Sequence, residues 1–178
     1  VLSTIVREND GGADGYDCIS HRSLGKNIIT IGAVNSNSTM TPFSSWGPTD
    51  DGRVKPDVVA LGTNVLSSGA NSNSHYFSTS GTSMSGPMVA GLVGLLMEHQ
   101  EDLHPGQKLS SAMKKALIIH SADDMISGAA GPDYRFGWGL MNTRKAAEIM
   151  SMNNTLGQGV RMMESSLFPN DTIVLDLI

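Results

Sequence analysis

The chain has a single cysteine, Cys18, in 178 residues. That excludes an intrachain disulfide framework and offers no thiolate cluster for a metal. Aromatic residues make up only 5% of the chain, and no basic excess exists: 12 Lys and Arg stand against 17 Asp and Glu, a net charge of −5. Without a basic stretch the chain lacks the electrostatic footprint of a nucleic-acid binder. No apolar run is long enough to span a membrane; the longest, residues 88–97, is ten residues and contains two glycines. The start lacks the charged segment and apolar core of a secretory leader. It opens on VLSTIV, which reads as a strand cut from the middle of a sheet, and DTIVLDLI at the other end stops inside an alternating pattern. Both ends lead us to expect a fragment.

What is present is small and flexible: 20 Gly and many Ser and Asn. The length suits one loop-rich domain with a real core. Residues 1–7 read as a short buried strand followed by the turn-rich ENDGGADGYD. NIITIGAV, residues 27–34, is a near-continuous β-branched run, the pattern of a strand covered on both faces in a parallel sheet. Residues 35–64 read as loop-dominated, with Pro42, Pro48 and Pro56 separating short extended pieces. Residues 63–68 and 74–79 suit a strand pair around GANSNS. A helix is expected from Ser83 to about Gln100, apolar around nearly its whole circumference and therefore central and buried, with Pro87 in its first turn. Others are expected from Pro105 to His120 and from Thr143 to Met150, the last capped by Asn142. Strands interleaved with helices predict an α/β fold, a mostly parallel sheet flanked by helices. Beyond about residue 151, MMESSLF and TIVLDLI alternate weakly, as at the start of a β-rich module spanning 151–178.

Chemistry concentrates in GTSMSGPMVAG, residues 81–91. A serine hydroxyl is a weak nucleophile that needs a base, an oxyanion stabiliser and an exposed position. A helix N-terminus contributes free N–H groups and a dipole that favours negative charge. Gly81 permits a sharp entry, and Thr82 and Ser83 sit at the cap. A serine in that place is also simply a preferred N-cap.

The surrounding blocks decide between these roles by resemblance. GTSMSGPMVAG closely resembles the nucleophile motif of the subtilisin-like serine peptidases, or subtilases, with Ser85 where Ala is common and Met88 where His is common. NIITIGAV, FSSWGPTDDGRVKPDVVALG and FGWGLMNTRKAA resemble further family blocks in the family's order, with Leu61 in place of a usual Pro. The resemblance covers residues 1 to about 150 and implies the C-terminal part of a catalytic domain. It implies peptide hydrolysis through an acyl-enzyme on Ser83, and an exported enzyme of the bacterial cell envelope or exterior acting on protein or peptide substrates. It also implies that Asn9, in STIVRENDGG, donates to the oxyanion beside the Ser83 amide, with Arg7, Glu8, Gly81 and Thr82 contacting substrate. Arg7 and Glu8 stand where the family has a small Ala-Gly pair, and a reshaped pocket wall is one expectation from that departure. On its own chemistry Asn9 also fits an Asx-turn, which Asn-Asp-Gly favours.

The family's chain order is Asp, His, Ser, and motifs of the Asp-Ser/Thr-Gly and His-Gly-Thr-His type are not found here. None of the five histidines, His21, His75, His99, His104 and His120, has that context. The base and its orienting acid are therefore expected from the N-terminal part of the same catalytic domain, and this stretch alone is expected to be inactive. A catalytically inactive subtilase-like binding module is the alternative, with Arg7-Glu8 as its support.

Weaker signals have bland readings. Asp10, Asp14 and Asp17 are spaced so that they could cup Ca²⁺, as subtilases often do, but the run lacks EF-hand alternation and also fits a solvated acidic loop. No cofactor is required by the chemistry. The Ser-x-x-Lys within SSAMK, residues 110–114, falls inside an expected helix without partner motifs. Met84 is a plausible oxidation site or plain core packing. Asp57 of KPDV reads as structural, bonding loop N–H groups.

Overall fold

A computed structural model of the chain describes residues 2–4, 16–125, 130–156 and 162–165. Three parallel strands, β1 (Leu2–Thr4), β2 (Ile29–Val34) and β3 (Val58–Leu61), make the central sheet in that spatial order. Leu2 pairs with Ile29, and Ile31 with Val58. All six residues of β2 are buried. Successive strand residues point to opposite faces, so a strand buried on both reads as an unbroken apolar run. Ile29, Ile31, Val58 and Ala60 face a layer of helices, while Val34 and Val59 meet Met40 and Phe136 on the other side.

β3 lies inside a region whose prolines read as loop. Pro56 ends just before the strand, where its missing amide costs no ladder bond. The free edge of β3 is closed by residues 139–141: the Val59 amide donates to Gly139 O at 2.9 Å and the Met141 amide to Val59 O at 3.0 Å. The expected strand pair is present as an antiparallel ribbon, β4 (Val65–Ser68) with β5 (Tyr76–Thr79), in the register Val65 opposite Thr79.

Helix α1 (Thr82–Leu103) packs over the sheet on a stripe of Thr82, Ser85, Gly86, Val89, Leu96 and Gln100, positions that share one face at 3.6 residues per turn. Its opposite side, with Pro87, Ala90, Gly91, Gly94 and Leu95, is exposed among the described residues. The expectation of burial all round is therefore met on one face only. Because the helix begins at Thr82, Pro87 falls in the second turn, where it removes the amide that would bond the Ser83 carbonyl.

Helix α2 (Ser111–Ser121) starts six residues later than expected. Pro105 instead enters a turn in which Gly106 has φ 77° and its amide donates to Glu101 Oε1 at 2.9 Å. Ser110 is the true cap, its Oγ accepting the Met113 amide at 3.1 Å. Helix α3 (Thr143–Leu156) is capped by Asn142, whose Oδ1 accepts the Lys145 amide at 2.9 Å. It runs beyond Met150, and Asn153 in the added turn is buried, its Oδ1 accepting the Met162 amide at 3.1 Å. Residues 162–165 have irregular backbone, and the alternating end, TIVLDLI, lies outside the described residues.

Candidate active site

The three parallel strands send their C-terminal ends to one edge of the sheet, the usual place for a site in such a layered fold. From that edge the chain passes through Gly62 and the β4–β5 ribbon and returns at Gly81. The Gly81 amide donates to Gly62 O at 2.8 Å, and the Gly62 amide to Val34 O at 2.9 Å. A second tie holds the ribbon's return, with the Asn64 amide donating to Ser80 Oγ at 3.0 Å.

Gly81 is the N-cap residue of α1, with extended backbone and no side chain to cap the helix. Ser83 is thus the second helical residue rather than the cap, and its side chain is exposed. The first amides of a helix have no acceptor within it, so those of Thr82 and Ser83 are directed outward with the dipole behind them. Thr82 is buried beneath. Ser85, which stands where alanine is common, is fully buried, and its Oγ donates to Thr82 O at 3.0 Å. The extra hydroxyl is satisfied inside the first turn and leaves the outer surface to Ser83. Met84 is half-buried in the same turn.

Among the described residues no histidine or carboxylate hydrogen-bonds the Ser83 hydroxyl. His75, nearest in sequence, stacks on Phe77 with ring centroids 5.8 Å apart. His99 is paired with Ser151 Oγ at 3.0 Å between α1 and α3. The Ser-x-x-Lys of residues 111–114 forms the first turn of α2 and not its middle. Arg7, Glu8 and Asn9 lie outside the described residues, as do Asp10 and Asp14, while Asp17 is exposed. Among the described residues no three His, Cys, Asp or Glu side chains group to hold a metal ion.

Asp57 is structural, as its sequence context suggested, and more heavily engaged. Its Oδ2 accepts the Thr30 amide at 2.7 Å and the Lys55 ammonium at 2.5 Å, and its Oδ1 meets Lys115 Nζ at 3.0 Å. Burial lowers the Lys55 pKa from the ordinary lysine value, and the hydrogen bond to Asp57 opposes that shift. The cluster sits where β2 begins, away from Ser83.

The family model described as Subtilase family, Peptidase_S8, matches residues 9–139. The chain belongs to the subtilase family. C5a peptidase of Streptococcus pyogenes is 47% identical to this subtilase over 97 residues, which is 50% of this chain and 8% of the relative. Serine protease AprX of Bacillus subtilis is 32% identical over 121 residues, 57% of this chain and 27% of the relative. The solved structure of the Clostridium perfringens CspB protease superposes with a TM-score of 0.68 at 28% identity, covering 76% of this chain and 29% of that one. The subtilase chain thus spans less than a third of each of these proteins. Membership supports serine peptidase chemistry in general and accounts for the α/β architecture. No helix among the described residues is long and apolar enough to cross a membrane.

Sequence reading missed one feature of the site, the Gly62 bridge between β2 and Gly81. Its only trace was a glycine ending the KPDVVALG block.

Proposed function

We propose that this chain carries the nucleophile of a subtilisin-like serine endopeptidase. The observation that supports this most is an exposed Ser83 on the first turn of α1, at the carboxyl edge of three parallel strands. Ser83 Oγ attacks the scissile carbonyl carbon and yields its proton to a histidine. The tetrahedral oxyanion is held by the Ser83 amide and by Asn9; β1 runs parallel to β2, so the chain leaves it toward this same edge. Collapse expels the amine, which takes the proton from histidine, and water then releases the acyl group. The reaction uses protein groups alone and no cofactor. Histidine and its aspartate come from the N-terminal part of the same catalytic domain, which also covers the open face of α1 along Pro87, Ala90, Gly91, Gly94 and Leu95. The substrate is a protein or peptide, met outside the cell or at its envelope.

The full-length protein treated with a fluorophosphonate should carry one adduct on Ser83, lost in Ser83→Ala, while residues 1–178 alone remain unlabelled. An adduct on another residue, or equally fast labelling of the isolated stretch, overturns the proposal. Loss of labelling in the full-length protein favours an inactive binding module.

A further inference from the structure

Residue 62 joins the sheet to the helix that carries Ser83. Its amide is held by Val34, the last residue of β2, and its carbonyl holds the Gly81 amide. Gly81 O in turn accepts the Met84 amide at 3.0 Å. A path of three backbone hydrogen bonds therefore runs from β2 to the residues on either side of Ser83, without using one side chain.

Space explains why this position is glycine. A Cβ there would lie 2.6 Å from Ala33 Cβ and 2.9 Å from the Gly81 carbonyl oxygen. Gly62 is not among the positive-φ glycines, so its conformation does not demand glycine. Ala33 cannot yield: it is a methyl on the fully buried strand β2, with no rotamer to change. Close-packed interiors transmit such a displacement instead of absorbing it. The movable side of the contact is Gly81, half-buried at the start of α1.

We propose that Gly62 is a positioning residue for Ser83, its missing side chain setting the height of the first turn of α1 above the sheet edge. This rests on the reading of Ser83 as nucleophile and extends it to the residue that places it. A displacement of about 1 Å at a reacting group can cost on the order of a hundredfold in rate, because attack and oxyanion geometry tolerate little error.

The test uses the full-length protein, labelled with a fluorophosphonate over a range of concentrations. Gly62→Ala should lower the maximal labelling rate by about ten- to a hundredfold, with a smaller change in the half-saturating concentration. Adding Ala33→Gly removes the 2.6 Å contact and keeps the 2.9 Å push on Gly81 O, so it should restore the rate in part. Crystal structures should show Ser83 displaced from the sheet edge in the single variant and less so in the double. A wild-type maximal rate in Gly62→Ala, or a rate unmoved by Ala33→Gly while thermal stability recovers, overturns the proposal. If the single variant does not accumulate, the double variant decides: slowed labelling supports positioning, and a wild-type rate overturns it. If the unmodified protein does not label at Ser83, the nucleophile reading falls, and positioning is judged from the structures alone. An unmoved Ser83 then overturns it as well.

Discussion

Asp57, at the foot of β3, meets Lys115 of α2 at 3.0 Å and Lys55 at 2.5 Å, so one buried carboxylate faces two ammonium groups. Lys55 and Lys115 also donate to the same carbonyl, that of Ile28, at 3.2 and 2.9 Å. The cluster ties the start of β2 to β3 and α2 at once. Asp57→Asn leaves two cations around a neutral amide and is expected to cost about 3–5 kcal/mol, the usual result of stripping one partner from a buried ion pair. Denaturant unfolding of the full-length protein should show the midpoint falling with an unchanged slope. A loss below about 1 kcal/mol would mean the cluster is open to water.

Asp51 offers a pH test at the surface. Its carboxyl is lowered from 3.8 to about 2, first by the Arg53 side-chain hydrogen bond and then by that of Thr49. Arg53 Nε donates to both carboxylate oxygens at 2.8 Å, and Thr49 Oγ1 donates to Oδ1 at 2.7 Å. An acid whose folded pKa is depressed stabilises the fold above its unfolded value and loses that contribution as pH falls. The Asp51 contribution is complete above about 4 and disappears toward about 2, in small amount because the group is solvated. Carboxyl NMR titration should place its midpoint near 2, and Arg53→Gln should move it back up.

Neighbouring leucines on α1 separate the buried from the open face. Leu96 is 4% exposed and Leu95 57%. Leu96→Ala is expected to cost about 2–5 kcal/mol through lost burial and a residual cavity. If the N-terminal part of the domain covers the other face, Leu95→Ala in the full-length protein should cost a comparable amount. A cost within about 0.5 kcal/mol, as for an exposed side chain, would show that face to be open. Unfolding midpoints of the two variants decide.

Local patterns carried much of the fold. β2 was readable because a strand buried on both faces leaves a continuous β-branched run, and the ribbon because strand formers flank a Ser/Asn-rich turn. α1 was readable from its length and α3 from its Asn cap. β3 was hidden because only four residues follow a proline, and what makes them a strand is pairing with β2 and with residues 139–141. Pro105 misled because proline suits both a helix start and a turn; the Ser110 cap, with its bond to the Met113 amide, settles the boundary.

At the site, the nucleophile motif pointed to Ser83, and the family-like blocks on either side decided it against a plain helix cap. Its position as second helical residue, the satisfied hydroxyl of Ser85 beneath it and the Gly62 bridge emerged only on folding. The sequence by itself determined the types of the elements and the identity of the candidate nucleophile, because periodicity and motif act over a few neighbouring residues. Tertiary structure decided which strand edge presents Ser83, which face of α1 stays open and why residue 62 has no side chain. Those depend on contacts between residues such as Val34 and Gly62, or Thr30 and Asp57, which only chain folding brings within 3 Å.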